Sequence, residues 1–597
     1  MITLDFETEA IGPNPLWLPP RPVGLAIWIK GTEPRYVTGD EMEEVWLRCM
    51  DSGDELLFHN AQFDLAVGLK WLGGERPHWS RVHDTMYLLF IDDPYSQSLA
   101  LKPSAERYLD LPPEEQDELT EWILTHIPEA TRKTAGAYIC RAPVPLVAKY
   151  AIGDVVRTRR LYDLLSTTVP TEPYDRERRL APHMAESSRV GIRTDVQRLA
   201  ADVDICTDGL QEVERLIFKR LGCGEIKLVG QQLANALDKA GVMDQWFYTP
   251  TGKRSTAKDN LIMGINPAHT DLLDLLAYRS TMATCLNTFM TKWLAFAEED
   301  GRVHTEWNQV ANDEGGHSGA RTGRLSSARP NFQNPPNPFD WTIPDGLPPL
   351  PNMRSYLLPE PGHIWIKRDF SSQEIRILAH FEDGALLAAY CENPFLDPHT
   401  MAQELIQQIT TFLYARPDVK ITGFSIIYGS GVPGLAQQLK RPRSEAYVLR
   451  EAYFKAMPAA AQLAASTRNR GRSGGKIRTW GGRYYPVEPA KIIKGRLRTW
   501  EYKLLNYLIQ GSAGDQTKEV LCDWWEQHKR PDTVFMATIH DEINASVPED
   551  DWQEEMRSLR EAMDQDLFDC PMRSEGYYGP NWGTLIKMEN EYGNGNA

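Results

Sequence analysis

Cysteine is scarce in this chain and follows no pattern. Eight residues in 597 (Cys49, Cys140, Cys206, Cys223, Cys285, Cys391, Cys522 and Cys570) form no C-x-x-C pair. That excludes a zinc or disulfide framework and fits the reducing cytoplasm. No apolar run approaches membrane-spanning length, so no membrane partner is expected. A strand expected to begin at Ile2 leaves no room for a secretory leader. Positive charge is in deficit, with 65 Lys and Arg against 82 Asp and Glu and a net charge of −17. Such a balance argues against a protein that coats nucleic acid over its whole surface, but not against a local basic channel. Hydrophobic content of 42% and charged content of 25% are ordinary for a globular protein. A chain this long outgrows a single core, so three or more domains are expected.

What the chain does have is carboxylates at the ends of apolar runs. Gly362-His363-Ile364-Trp365-Ile366 reads as a buried strand and leads into Asp369, in Arg368-Asp369-Phe370-Ser371-Ser372-Gln373-Glu374-Ile375-Arg376. Val534 to Ile539 leads in the same way into His540-Asp541-Glu542. Two strand ends can set two carboxylates side by side, which is costly unless a cation sits between them. Oxygen-only ligands suit Mg2+ or Mn2+, and a pair of such ions clamps the attacking and leaving oxygens of an in-line phosphoryl transfer.

A second acidic set lies near the N-terminus. Met1 to Glu9 alternates, so Asp5 and Glu7 share one face of a strand. Leu56-Leu57-Phe58-His59 reads as another strand, ending in Asn60-Ala61-Gln62-Phe63-Asp64, with a helix expected from Asp64 to Leu72. Tyr150 to Asp154 opens a further helix, with Tyr150 and Asp154 one turn apart. Asp5, Glu7, Asp64 and Asp154 could converge on two metal ions, and Tyr150 could hold the attacking water. Ser166 to Pro173 reads as a linker.

Helical pattern dominates to about Glu298, interrupted by the polar turn Thr249 to Thr256, whose hydroxyls and Lys253 suit a phosphate backbone. The stretch from Pro335 to Pro351 is too proline-rich for a central strand or helix and reads as a connector. Arg416, Lys420, Phe424 and Tyr428 recur at steps of four. On a helix they form a drifting stripe of two cations and two rings, which suits a nucleoside triphosphate; Pro417 is tolerated in the first turn. From Arg468 to Lys503, Arg468, Arg470, Arg472, Lys476, Arg478, Arg483, Lys491, Lys494, Arg496 and Arg498 have few acidic neighbours, and this is where a basic channel is expected.

Taken in order, these segments resemble a known family. D-x-E, N-x-x-F-D and Y-x-x-x-D at Asp5/Glu7, Asp64 and Tyr150/Asp154 resemble the exonuclease motifs of the DEDD superfamily, in its tyrosine variant; His83 to Met86 and Ser98 to Leu101 resemble its connecting segments. Thr322-Gly323-Arg324-Leu325-Ser326-Ser327, Pro330 to Asn334, the stretch around Asp369, the stripe from Arg416 to Gly429 and His540-Asp541-Glu542 resemble the palm approach and motifs A, B and C of the family A DNA polymerases. The resemblance implies an α/β multidomain chain: an RNase H-like 3′→5′ exonuclease domain followed by a right-hand polymerase of thumb, palm and fingers, with an antiparallel palm sheet and helices. Expected boundaries are 1–172 for the exonuclease, 173–300 for the palm approach and thumb, 301–390 for the palm with motif A, 391–500 for the fingers and 501–597 for the palm with motif C.

It also implies roles. Asp369 and Asp541 would hold two Mg2+ or Mn2+ ions, with Glu542 supporting them, and two more would sit at the exonuclease carboxylates. Arg416 and Lys420 would bind the triphosphate, Lys420 also donating a proton to pyrophosphate. Phe424, Tyr428 and His399 would line the dNTP site, with Glu374 as the gate against a ribose 2′-hydroxyl. Arg324, Gln333, Asn334, Asn506, Gln510 and His540 would meet the primer–template; Arg354 and Asp397 fall in family segments of less specific role. Minor-groove acceptors are nearly alike for every base pair, so donors there sense pairing without choosing sequence. Departures from the family pattern are Ser372-Gln373 inside motif A, Gly423 before Phe424, and Tyr502 four residues before Asn506.

With no 5′-nuclease segment and no long thumb insertion, the chain resembles bacteriophage replicative enzymes acting in a host cytoplasm. A monomer is expected, with replisome partners such as a helicase–primase or a single-strand-binding protein. Some phage relatives copy genomes carrying 2-aminoadenine, and the sequence leaves open whether this template is modified. A nuclease whose C-terminal part only binds nucleic acid is disfavoured by intact Asp369, Asp541, Arg416 and Lys420. A single-subunit RNA polymerase of related fold is disfavoured by Glu374 and the exonuclease motifs.

Overall fold

The computed structural model describes residues 1–589 and 592, apart from 250, 312–318, 337–342, 411, 494 and 566–567. Part of the proline-rich connector and Lys494 of the basic span therefore lie outside the described residues. Among those described, no helix is long and apolar enough to cross a membrane.

The N-terminal body is built on a mixed five-stranded sheet. Strands β1 (Ile2–Thr8), β2 (Pro22–Ile29), β3 (Arg35–Val37), β4 (Leu56–Phe58) and β5 (Val82–Asp84) lie in the order β3-β2-β1-β4-β5. β1 runs antiparallel to β2 and parallel to β4. The alternation of β1 separates its faces: Ile2, Leu4 and Phe6 enter a core with Trp46 and Leu65, leaving Asp5 and Glu7 on the opposite side. Helix α1 (Ala61–Trp71) follows β4. Helix α2 (Leu101–Leu109) precedes α3 (Val144–Leu165), and α3 packs Ala151 and Val155 against Ala26 of β2. α3 begins six residues before the expected start at Tyr150, because Pro145 sits in its first turn, where no amide hydrogen is needed.

Helix α4 (Thr171–Val190) straps this body to the rest of the chain. The expected linker shrinks to 166–170, since Pro173 again occupies a first helical turn. On one side Arg178 donates to the carbonyls of Val82 (2.6 Å) and Ser80 (2.6 Å), and the Tyr174 hydroxyl accepts from the Asp84 amide (3.1 Å). On the other, Arg176 and Glu177 join a buried ionic network with the long central helix Leu504–Asp523. A helical region follows, led by Val196–Leu221 and Thr270–Thr284 packed against each other.

The C-terminal body holds a five-stranded sheet, every neighbouring pair antiparallel. Strands β6 (His363–Phe370), β9 (Val534–Ile539), β10 (Glu542–Pro548), β11 (Ser574–Gly579) and β12 (Ile586–Lys587) lie in the order β9-β10-β6-β11-β12. Strands β7 (Lys491–Ile493) and β8 (Arg496–Arg498) form a separate hairpin. β6 continues past the expected Ile366 to Phe370 and so carries Asp369 within its last turn of pleat. On one face Trp365, Lys367 and Asp369 alternate; on the other Arg368 is fully buried, its cation satisfied by the Ser574 hydroxyl (2.7 Å) and carbonyl (3.1 Å). Helices α5 (Gln373–Glu382), α6 (Arg416–Ile427) and α7 (Leu504–Asp523) complete the frame of the site.

α7 is buried on nearly all sides, including Asp515 and Lys518, which need partners inside the protein. Arg483 pairs with Asp515, Thr479 donates to Asp515 (2.6 Å), and Lys518 donates to Glu177 (2.6 Å) and to the Gln309 carbonyl (2.8 Å). Burial opposes ionisation of Asp515, but Arg483 and Arg176 outweigh it and lower its pKa. Arg483 was expected in a basic channel; it is instead buried here as a structural counterion. Asp515→Ala is expected to destabilise the folded chain by about 3–5 kcal/mol, since it takes from buried Arg483 its closest counterion and leaves Arg176 to Glu519. Urea unfolding of the full chain measures this, and a loss under about 1 kcal/mol would be the exposed-pair value and contradict it.

Candidate active sites

Asp369 is the penultimate residue of β6, and Asp541 stands in the two-residue turn His540-Asp541 that joins β9 to β10. That turn is tight enough to hold His540 at φ 59°. Register pairs Asp369 with Glu542 on one side and with Glu575 on the other, so three carboxyl side chains share one face. The Phe370 amide donates to the Asp541 carbonyl (3.2 Å), closing β6 onto the turn. Lys367, two residues before Asp369 on the same face, donates to Glu542 Oε2 (2.8 Å) and lies 3.7 Å from Asp369 Oδ2. Burial, then the charge of Asp541, pushes the Asp369 carboxyl up to about 8, against the pull of Lys367. Burial likewise raises Asp541 to about 6.

Around this face stand most of the other expected residues. Arg324 pairs with Glu374 in the first turn of α5 (2.5 Å), and burial followed by the nearby Arg324 lowers the pKa of His540. Tyr428, whose pKa burial raises to about 12, also meets Glu374 and Gln510. Gln333 donates to the Thr538 carbonyl (3.2 Å), and Asn334 is exposed. Asn506 turns a buried Oδ1 to no hydrogen-bond donor among the described residues. On α6 the stripe is present: Lys420 Nζ lies 6.0 Å from the Phe424 ring centre, and the Phe424 ring lies 5.9 Å from Tyr428 and 5.8 Å from His399. Arg416 is held by Asp397 through two hydrogen bonds of 2.6 and 2.9 Å.

The three departures have local causes. Gln373 is buried and donates to Gln516 (2.9 Å), Thr517 (3.2 Å) and the Ala513 carbonyl (3.3 Å), bolting α5 to α7. Gly423 admits a close approach: a Cβ there would lie 2.8 Å from the Tyr453 hydroxyl. Tyr502 packs its backbone and ring edge against Gly429, where φ is +68° and a Cβ would lie 2.7 Å away.

In the N-terminal body, ligand atoms of Asp5, Glu7 and Asp154 all lie within 4.8 Å of one another. β1 supplies the first two and α3 the third. Asp64 stands one step back, its Oδ1 accepting the Phe6 amide (2.9 Å). Burial, then Asp154, pushes Asp5 up to about 8, with Lys102 opposing. Glu7 and Asp64 are raised well above the usual carboxylate range, again by burial first. Lys102 on α2 donates to Asp154 Oδ2 (2.6 Å) and sits 3.8 Å from the Tyr150 ring centre.

Both clusters fit a divalent cation. Their donors are carboxylate oxygens, the N-terminal set mostly buried and Asp369 and Asp541 half-buried, and their charge is under-compensated. Asp154 Oδ1 is buried and accepts no hydrogen bond among the described residues; Lys102 is spent on Oδ2, and Arg157 lies 3.7 Å from Oδ1. Sequence reasoning missed Lys367, Glu575 and Lys102. Lys367 was within reach of the period-two argument that placed Asp5 with Glu7. Glu575 and Lys102 come from elements whose pairing no local pattern announces.

With the geometry in view, comparison with known proteins adds the following. The sequence model described as DNA polymerase family A matches residues 197–584. A protein named DNA polymerase DpoZ, of Salmonella phage PMBT28, is 25% identical over 98% of this chain and 97% of its own. DNA polymerase I of Chloroflexus aurantiacus is 28% identical over 75% of this chain, which spans about half of that longer protein, 47%. Among solved structures, the POL domain of Pol1 from M. smegmatis, in complex with DNA primer-template and dNTP, aligns over 97% of this chain and 95% of its own, with a TM-score of 0.77 at 22% identity. That likeness shows the fold.

Raised carboxyl pKa values make a testable demand. In metal-free protein, Asp5 and Asp369 each move from 3.8 to about 8 on folding. The folded state therefore holds extra protons between those values and loses stability as pH rises through them. A divalent cation binds the deprotonated form. Added Mg2+ is thus expected to raise the thermal midpoint more at pH 8 than at pH 6, measured by calorimetry with EDTA as reference. A gain that is flat or falls with pH would contradict the account.

Proposed function

The chain belongs to the family A DNA polymerases, and from that premise we propose that it couples template-directed DNA synthesis to 3′→5′ proofreading, replicating a phage genome. The convergence of Asp5, Glu7 and Asp154 within 4.8 Å, in a chain whose polymerase region holds its own acid cluster, is the observation that carries this reading.

At the polymerase site Asp369 and Asp541 are the ligands, on two elements locked together by strand pairing. Divalent ions bound there would lower the pKa of the primer 3′-hydroxyl and neutralise charge on the transferring phosphate. Lys367 holds Glu542 in place and limits the repulsion around Asp369. Lys420 and Arg416 bind the triphosphate; Arg416 must leave Asp397 to do so, and Lys420 protonates the departing pyrophosphate. Phe424, Tyr428 and His399 form the surface on which the incoming sugar and base rest. Glu374, held by Arg324 and facing Tyr428, leaves no room for a ribose 2′-hydroxyl. Arg324, Gln510, Asn506, Gln333, Asn334 and His540 bind the primer–template.

At the N-terminal site Asp5, Glu7 and Asp154, with Asp64 behind them, would hold the metal, and Tyr150 would orient the attacking water. Lys102 fixes Asp154 against α2. Primer-template DNA and dNTPs are the ligands named for the solved M. smegmatis structure, and they fit these surfaces. Domain functions follow the boundaries set out above, with the division between the two bodies moved into the short turn at 166–170.

The two activities should separate by substitution. Asp541→Ala is expected to lower primer extension by roughly a thousandfold or more, the scale of losing a metal clamp, while leaving excision of a single strand within a few fold. Asp5→Ala with Glu7→Ala should do the reverse. Extension persisting in Asp541→Ala would sink the polymerase assignment, and excision persisting in the double variant would sink the nuclease one.

A further inference from the structure

The β7–β8 hairpin carries the two most exposed large apolar side chains among the described residues, Ile492 and Leu497. Among the described residues its strands pair only with each other, Lys491 with Arg498, Ile492 with Leu497 and Ile493 with Arg496. Directly opposed residues share a face, so Ile492 and Leu497 form one apolar face while Lys491, Ile493, Arg496 and Arg498 point the other way. Ile492 is 77% exposed and Leu497 68%. An isolated two-stranded hairpin is marginal in water, and aliphatic side chains this exposed are a liability unless something covers them.

What covers them is indicated by the hairpin's setting. Leu497 and Arg498 form part of the wall of a cleft of about 970 Å3 whose other lining includes Arg450, Arg468, Arg472 and Lys503. Five cations and one carboxylate, Glu501, thus line one cleft of a protein whose net charge is −17. The buried Nε atoms of Arg450 and Arg468 donate to nothing among the described residues. The cleft reaches Tyr428 and Asn506, hence the polymerase site. A polyanion with flat apolar faces matches this surface: cations take the phosphates of a single strand, and aliphatic side chains stack on or wedge between bases.

We propose that the β7–β8 hairpin is a fork element. In this assignment the unpaired template runs through the cationic cleft, and the Ile492–Leu497 face abuts the first base pair of the downstream duplex, so that the enzyme displaces a strand as it synthesises. The proposal rests on the polymerase reading, and its test is chosen to be separable from it.

The test compares the wild-type chain with Ile492→Ser/Leu497→Ser, both sites being exposed and harmless to folding. On a primed single-stranded template the two should extend within about twofold of each other, as surface substitutions do. On a gapped template with a downstream blocking strand, the variant's synthesis past the block should fall on the order of tenfold, the cost of one lost stacking contact. In parallel, fluorescence anisotropy with forked DNA against blunt primer–template reads the same surface without synthesis; the variant should lose the preference for the fork. Equal displacement, or an unchanged fork preference, would overturn the proposal, as would a change confined to self-association or to a protein contact. A failure of both proteins to extend the open template would strike the polymerase reading instead, with the binding comparison still deciding the hairpin.

Discussion

Everything in this molecule is arranged around a repulsion. Asp369, Glu542 and Glu575 lie on three adjacent strands in direct register, and Asp541 stands at the turn beside them. A half-buried like-charge group of this kind is unfavourable in isolation, which is why Asp369 and Asp541 hold their protons to higher pH than free carboxyls. The sheet tolerates it because backbone pairing, not the side chains, fixes the strands. Lys367 beside Glu542 and Asp369, Lys587 on Glu575 (2.9 Å) and Arg324 near Asp541 offset part of the charge and leave the rest for a cation to neutralise. The N-terminal cluster repeats the design with other parts: a strand and a helix for scaffold, and Lys102 as the partial counterion.

Two such clusters in one chain are useful only if their relative position is maintained, and the interior provides for this with charge as well. α4 carries cations and an acid on a face turned to α7, and its Tyr174 and Arg178 turn to β5. Along this strap Glu177, Lys518, Asp515, Arg483 and Arg176 are all buried and all paired. Removing any member leaves a desolvated charge, so the network rewards one arrangement of the two bodies and penalises others.

The parts of this that depend on local pattern were legible from sequence. β1, β4 and β9 follow from alternation or apolar runs, α6 from its spacing, and the metal-seeking acids from where those runs end. The misreadings share a cause: prolines and charges have two uses, and sequence does not say which. Pro145 and Pro173 sit in the first turns of helices, one beginning before the expected start at Tyr150 and the other inside the expected linker, because an N-terminal turn has no use for the missing amide. Arg483 looks like its exposed neighbours until α7 brings Asp515 to it. Gly423 and Tyr502 read as defects in a family pattern until Tyr453 and Gly429 show the close packing each permits. Lys367 was open to the same reasoning as Glu7, whereas Lys102 and Glu575 reach their sites only through tertiary pairing.

The measurement that bears most directly on the central claim uses a 5′-labelled primer with a mismatched 3′ end, annealed to a longer template in the presence of Mg2+. The account predicts that the primer shortens when dNTPs are withheld and is extended to full length when they are supplied, both by the one chain. Shortening without extension, or no shortening at all, would contradict a polymerase that proofreads with its own N-terminal carboxylates.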